Sequence, residues 1–434
     1  MRRSQIFLKT RKEAPADEEA KNAQLLIRAG FIHKEMAGVY NYLPLGLITL
    51  NKIMDVIREE MNTIGGQELF LSGLQPKDNW DRSGRWHDDV VDIWFKTRIH
   101  DGKGFHMGPE LGLSNTHEEA ITAIMRGFIS SYKDLPVYAY QFQTKFRNEP
   151  RSKSGLLRCR EFIMKDLYSF SKDQKQHDQF YEKAKAAYTK IFERLGLGKD
   201  TYLTFASGGS FSKYSHEFQT VTDVGEDTIY VQEGKGLAIN KEVYSDEALK
   251  ELGVKKSELV EKKAVEVGNI FPLGTRFSEP LGLNYTDEAG KVSPVIMGSY
   301  GIGPGRVMGT IVEHLADDKG LVWPAQIAPF TVYLARLSDD KTVVEAADKT
   351  YKLLTDSGIG VLYDDRSARP GEIFADADLI GLPYRVVVSE KTLQKGSLEL
   401  KSRTASQVQL VPLHSLAKAL QDWYNLGSAK IFKR

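Results

Sequence analysis

The sequence predicts an α+β chain closed by a separate α/β domain. At 434 residues the chain exceeds one ordinary hydrophobic core, and chains of this size divide into two or three domains. Before Trp323-Pro324 and Pro329, strand-like and helical stretches come in blocks, and two β-rich runs, 137–146 and 162–170, flank a polar loop. Beyond those prolines strand and helix alternate over about 105 residues, the usual size of one domain. The predicted boundary therefore divides the chain into 1–326 and 327–434.

In chain order, residues 45–64 carry Leu47, Leu50, Ile53, Met54, Ile57, Met61 and Ile64 at helical spacing. The helix is entered through Leu43-Pro44 and stopped by Gly65-Gly66. A one-sided helix of this kind packs either on its own core or on a second subunit, and pattern alone does not separate the two. Thr116 with Glu119 three residues later forms a capping box and predicts a helix start there. Runs 137–146 and 162–170 read as strands, and 174–195 (Phe180, Ala184, Ala187, Ile191, Phe192) as a polar-faced helix. A Gly/Ser-rich stretch, 207–215, precedes His216-Glu-Phe-Gln219, and the charged residues 246–263 predict a surface helix or linker. Strand 292–297 then runs through Gly298-Ser-Tyr-Gly-Ile-Gly-Pro-Gly-Arg306 into an apolar helix, 307–315. The C-terminal domain is predicted as strand 331–337, helix 342–357, strand 359–363, helix 372–380, strand 384–389, a hairpin near 398–411 and a helix from Ser415.

Composition excludes several functions. Hydrophobic residues make up 41% and charged residues 27%, with a formal net charge of +1. Indiscriminate nucleic-acid coating requires far more positive charge. The single cysteine, Cys159, excludes an internal disulfide and a Cys-rich zinc site and fits a reducing compartment. No apolar run approaches the roughly 20 residues that span a bilayer. The basic N-terminus turns acidic within a few residues, unlike a signal or transit peptide. A cytoplasmic protein without membrane association is expected.

Positive charge is instead concentrated locally. Seven residues between Lys145 and Lys165 are Lys or Arg. In strands, alternate residues share a face, so Arg147 and Glu149 point one way, and Arg158, Arg160 and Phe162 share one parity. Guanidinium forks match oxyanions, and an aromatic ring beside them suits a base. A nucleoside triphosphate is the natural ligand, and an exposed hairpin with solvated arginines is the competing reading. Gly301-Ile-Gly-Pro-Gly-Arg306 is neither a Rossmann nor a Walker loop. Following a strand and opening a helix, it suits an anion, although a bland Gly-rich turn has the same pattern. Thr116-His117-Glu118 lacks the second histidine of a zinc protease, since Ile121 stands four residues on. Glu118 beside a hydroxyl would clamp a cationic amine. His216 alone would be a structural histidine, and only the Gly-rich stretch before it and Glu217 after it suggest more. No protein-only metal cluster is evident.

Together these segments resemble the class II aminoacyl-tRNA synthetases, and within them the bacterial-type prolyl-tRNA synthetases. Pro44 and its helix are similar to motif 1, Phe146-Arg-Asn-Glu149 with Arg158-Cys-Arg-Glu-Phe162 to motif 2, Gly298 to Arg306 to motif 3, and Thr116-His-Glu118 to the proline-holding Thr-x-Glu. The N-terminal MRRSQ…KEAPADEEAK…LLIRAG, Ser83-Gly-Arg-Trp86, Tyr132-Lys-x-Leu-Pro136, Val322-Trp-Pro324 and Asp364-Asp-Arg-x-x-Arg-Pro-Gly371 extend the match nearly end to end. The resemblance implies an antiparallel catalytic sheet with flanking helices, a C-terminal anticodon-binding domain, and a homodimer built on motif 1.

It further implies that proline and ATP give prolyl-adenylate, from which proline passes to the 3′ end of tRNA(Pro), with Mg²⁺ as cofactor. By resemblance Arg147 contacts the α-phosphate and the substrate carboxylate, and Arg158 and Arg306 hold the triphosphate. Glu149 receives the adenine amino group and Phe162 stacks on the ring. Proline would meet Thr116 and Glu118, with Met164, His216 and Ser299 as pocket walls. Arg151 is expected at the tRNA acceptor stem, and Arg366, Arg369 and Lys401 at the anticodon.

Two departures accompany the resemblance. About 80 residues separate Gln219 from Met297, too few for both the core strands and an editing insertion, so a short form relying on a free-standing deacylase is expected. Ser299 replaces a frequent cysteine, and the loop 210–216 is longer than usual. Another class IIa synthetase (threonyl, glycyl or histidyl) and a non-catalytic paralogue are the rival readings. The Thr-x-Glu element opposes the first and the intact Arg147, Arg158 and Arg306 oppose the second.

Overall fold

The computed structural model describes residues 1–100, 107–150, 152, 154–207 and 214–432. Arg151 and most of the 210–216 loop lie outside the described residues.

Helix α1, Pro44–Thr63, begins with proline at its first position, where the missing N–H would be unpaired in any case. Leu45, Leu50, Ile53, Ile57 and Met61 are buried in the chain's own core, while Leu47 stays exposed. Own-core packing thus accounts for most of the apolar stripe. The helix presses onto the preceding chain so closely that a Cβ on Gly46 would lie 2.0 Å from the Phe31 carbonyl oxygen.

The main sheet has nine strands. In chain order they are β1 Gln67–Glu68, β2 Val137–Phe146, β3 Glu161–Ser171, β4 Thr201–Ser207, β5 Tyr214–Val221, β6 Asp227–Gln232, β7 Leu237–Asn240, β8 Val260–Gly274 and β9 Ile296–Ile302. Their spatial order is β5-β4-β7-β6-β8-β9-β3-β2-β1, with β5 also paired to β8. β2, β3, β9 and β8 form the antiparallel centre. The extra pairing closes β4 to β8 into a small lobe beside it. The predicted strand 292–297 is in fact a short hairpin arm, Val292–Pro294, followed by β9. The charged region 246–263 contains helix Asp246–Leu252 and then the start of β8.

Helices α2 Glu118–Met125, α3 Gln174–Arg194 and α4 Pro304–Leu315 flank the sheet. The predicted capping box at α2 does not form. His117 is the N-cap and its side chain makes no cap bond. Glu119 instead turns into the core, where Ser83 and Arg85 bond its Oε1 at 2.7 and 3.0 Å. Burial raises the Glu119 carboxyl to about 7, so a charged partner serves it better than an exposed backbone N–H.

One face of the central sheet packs on α1 and α3. Lys165 points into this face, fully buried, and donates to Tyr188 Oη at 2.5 Å and the Tyr300 carbonyl at 3.0 Å. Burial depresses its pKa well below that of a free lysine. The unfolded chain then binds the extra proton, so stability rises with pH up to the unfolded lysine value. In urea titrations the difference in stability between native protein and Lys165→Met should widen in favour of the native chain from pH 7 to 9, by at most about 1.4 kcal/mol per pH unit. A constant difference would show that Lys165 is charged in the fold.

After Trp323 the chain builds a five-stranded sheet from β10 Val332–Arg336, β11 Val361–Asp364, β12 Tyr384–Val388, β13 Leu398–Ser402 and β14 Gln409–Val411, in the order β11-β10-β12-β13-β14. Helices α5 Lys341–Asp356, α6 Pro370–Ile380 and α7 Leu413–Phe432 accompany it. Apolar packing continues across the predicted boundary: Trp323 stacks on Phe31 at 5.2 Å, and Tyr333, Leu362 and Ile373 join the same core as α1. The N-terminus crosses this seam as well. Buried Arg3 pairs with Asp364 at 3.2 Å and Asp376 at 2.7 Å.

Candidate active site

The opposite face of the central sheet carries the site. Cross-strand register aligns Gln141 with Asp166, Gln143 with Met164 and Lys145 with Phe162. It also aligns Asp166 with Gly301 and Tyr168 with Ser299, and Asn269 with Gly301 and Phe271 with Ser299. The strand period of two therefore puts Phe162, Met164, Asp166 and Tyr168 in one row facing Ser299, Gly301, Asn269 and Phe271.

Two cavities of about 180 and 220 Å³ meet on this face and share Arg147, Met164, Asn269 and Gly301. The first is polar and rich in arginine, with Glu149, Arg158, Phe162, Glu266 and Arg306 in its wall. Arg147 anchors through Nε to the Asn115 carbonyl at 3.2 Å and lies over the Phe162 ring, 5.4 Å from its centroid. Burial, and then the charge of Arg306, lower its pKa. Two guanidinium groups without full compensation create a demand for an anion. Arg306 stands in the first turn of α4, bonding the Leu157 carbonyl at 2.8 Å and Glu266 Oε2 at 3.3 Å. The helix N-terminus at Gly303 adds its dipole to the same cavity.

Arg158 is held by Glu149 at 3.0 Å and Glu226 at 2.6 Å. Arg160, left without a ligand by sequence, bonds the Glu149 carbonyl at 3.2 Å and shapes the hairpin. Cys159 also lines this cavity, but burial pushes its thiol up to about 12, which leaves no nucleophilic thiolate.

The second cavity is lined by Arg85, Thr116, Glu118, Asp166, Tyr168 and Ser299, among others. Thr116 Oγ1 donates to Glu118 Oε2. Ser299 Oγ lies 3.4 Å from Glu118 Oε1, and Arg85 3.7 Å from Oε2. A buried carboxylate held in this way can receive a cationic amine, while Arg147 at the junction can receive a carboxylate.

His216 does not line either cavity and is corrected to a structural role. It pairs with Ile270, whose neighbours Asn269 and Phe271 face the cavities, so its ring points to the helix side. Its Nδ1 meets Tyr181 Oη at 3.0 Å, and burial lowers its pKa to about 4. In the C-terminal domain Arg366 is likewise committed internally, at 2.8 Å from both Asp364 and Asp376. A guanidinium saturated by carboxylates is a poor anticodon ligand. Arg369 is exposed at the start of α6. Lys401 is half-buried beside Arg385 and Arg403, close to the Arg403–Asp317 pair that joins the two domains at 2.6 Å.

Sequence reasoning missed Arg85, Asn115, Asp166, Tyr168, Glu266 and Asn269 as wall residues. Asp166 and Tyr168 carried a usable signal, because they continue the alternation begun by Phe162 and Met164. Glu266 and Asn269 carried none, since β8 is recognisable only through its pairing.

Residues 105–315 match the family described as tRNA synthetase class II core domain (G, H, P, S and T), and residues 331–423 the anticodon binding domain. The proline–tRNA ligase of Burkholderia multivorans is 32% identical over 97% of this chain and 99% of its own length. That of Paraburkholderia phymatum is 33% identical over 99% and 100%. Among solved structures, Giardia lamblia prolyl-tRNA synthetase in complex with prolyl-adenylate aligns with a TM-score of 0.77 at 19% identity, over 95% of this chain and 79% of that one. The Cryptosporidium parvum enzyme complexed with halofuginone and AMPPNP gives 0.76 at 18%, over 95% and 79%.

Proposed function

The chain belongs to the proline–tRNA ligases, and from that premise we propose how its two joined cavities divide the work of activating proline with ATP and passing it to tRNA(Pro). The meeting of both cavities at Arg147 is the observation that carries the division. The arginine-rich cavity takes ATP, with Phe162 against the base, Glu149 at its amino group and Arg158 and Arg306 along the phosphates. The second takes proline, with Thr116 and Glu118 on the ring nitrogen and Met164 and Ser299 as walls. Arg147, between them, holds the attacking carboxylate against the α-phosphate and offsets charge as the bond forms. Such a reaction needs positioning and charge stabilisation rather than a general base.

Mg²⁺ fits the acidic rim of the ATP cavity. Glu266 lines it, and burial followed by the charge of Glu266 raises the nearby Glu217 carboxyl, a repulsion that a cation there would relieve. Among the described residues no cluster of three or more His, Cys, Asp or Glu could hold a metal alone, so these carboxylates would share the ion with the nucleotide. When bound, the ion would supply charge neutralisation on the phosphates.

A homodimer is part of the reading. Phe70, Leu74, Ile124 and Phe128 are exposed and available to such a contact. We also infer a short form without its own editing domain. The alignment to the Burkholderia multivorans enzyme spans 579 positions, 145 more than the 434 residues here. A free-standing deacylase would then be its partner. The reading keeps the enzyme in the cytoplasm; among the described residues no helix is long and apolar enough to cross a membrane.

Pyrophosphate exchange across a panel of amino acids tests the assignment, with proline expected to lead threonine, glycine and histidine. The C-terminal domain should act only in the second step. Arg369→Ala should leave exchange unchanged and lower tRNA charging by about tenfold, the range of one nucleic-acid contact. Equal loss in both assays would contradict that separation. Arg151 remains the acceptor-stem candidate, and Lys401 is a weaker anticodon candidate for its half-buried position.

A further inference from the structure

Beneath the proline cavity lies a buried polar chain that the reaction scheme does not use. His117 Nε2 meets the Ser72 carbonyl at 3.1 Å. A carbonyl only accepts, so Nε2 carries the proton and Nδ1 is left as an acceptor for Lys145 Nζ, which contacts it. Lys145 is almost wholly inaccessible and also lies 2.9 Å from Asp166 Oδ1. The other oxygen of Asp166 accepts from Gln141 Nε2 at 2.8 Å and Tyr168 Oη at 3.0 Å. Tyr168 Oη is also 3.4 Å from Glu118 Oε1. Its single hydroxyl proton is therefore shared between two carboxylates, at the shorter distance with Asp166, which a buried lysine neutralises, and at the longer with Glu118, which is open to the cavity.

We propose that Tyr168, seated on the Lys145–Asp166 pair, is a positioning residue that fixes Glu118 against the ring nitrogen of proline, an inference resting on the assignment of Glu118 to that nitrogen. The geometry explains why a lysine and an aspartate stand together under the cavity. Lys145 neutralises Asp166, Asp166 fixes the phenol, and the phenol meets Glu118 at Oε1, the oxygen Ser299 also approaches, while Thr116 holds Oε2. Groups tied into one buried network rigidify one another, whereas a carboxylate left to swing would spread over several rotamers.

The experiment compares L-proline with tetrahydrofuran-2-carboxylate, which keeps ring and carboxylate but has no N–H. Asp166→Asn would strand Lys145 and endanger folding, so Tyr168→Phe in the full chain is the informative variant. In pyrophosphate exchange it should raise the KM for proline about tenfold, within the range for a hydrogen bond to a charged group. The KM for ATP and the inhibition constant of the oxygen analogue should stay unchanged. A general disturbance of the pocket would weaken both ring ligands alike, and that result, or an unchanged KM for proline, would overturn the proposal. Glu118→Gln serves as the control on the premise and should discriminate against proline alone. If it weakens both ligands equally while the enzyme still activates proline, the assignment of Glu118 is wrong, and the proposal falls with it for a reason distinct from the behaviour of Tyr168.

Discussion

Replacing Arg147 with alanine should lower proline-dependent pyrophosphate exchange by about 10²–10³-fold, the effect of removing one preorganised donor from a transition state. The side chain is anchored at Asn115 and backed by Phe162, so it is held in place before substrates arrive. It belongs to both cavities, and its loss should appear in kcat as well as in both KM values. Arg147→Lys should recover little, because a point charge cannot reach a carboxylate and a phosphate in the planar geometry of a guanidinium. Arg147→Ala removes a cation that burial and the charge of Arg306 disfavour, so the melting temperature should not fall. A variant with near-normal exchange would move the centre of the reaction away from the junction of the cavities.

Alanine should be activated with a kcat/KM only about 10²–10⁴-fold below that of proline, and alanyl-tRNA(Pro) made by the pure enzyme should persist. An apolar pocket gains roughly 1–3 kcal/mol from each methylene it encloses, and alanine lacks two of those in proline. Met164, Phe271, Val91 and Ile93 around the second cavity can reward the missing methylenes but cannot repel their absence. Ser299 adds a hydroxyl beside Glu118 rather than bulk. Discrimination by binding alone then stops short of what translation requires. Mixing the isolated product with fresh enzyme gives the decisive measurement. Hydrolysis faster than the spontaneous rate would reveal a deacylating site within this chain and refute the short-form reading.

Much of the architecture was legible because single elements announce themselves locally. Residues 137–146 and the helix at 174–195 were placed to within a residue or two from periodicity alone. The C-terminal alternation was similarly plain, since each of its strands and helices is a short complete unit. Most of what failed depended on partners distant in sequence. The capping pattern Thr116/Glu119 is correct as a pattern, yet Arg85, more than thirty residues away, competes for the carboxylate. His216 was promoted by its neighbours, but strand parity set against Ile270 turns it to the far side of the sheet. Arg366, expected at the anticodon by resemblance, is enclosed by Asp364 two residues before it and Asp376 ten after it. For Glu119 and His216 a tertiary contact overrode the local pattern.

The alternation along β3 also has a consequence for how such an enzyme can change over generations. Met164, Asp166 and Tyr168 look into the cavities, whereas Lys165 and Leu167 belong to the buried interior behind them. Preference for a different amino acid and tolerance of new substitutions are thus written on alternate letters of one short word. Variants at Met164 are free to explore new substrates without loosening the molecule, whereas Asp166 is bound to the interior through Lys145. Variants at Lys165 and Leu167 face selection for folding first.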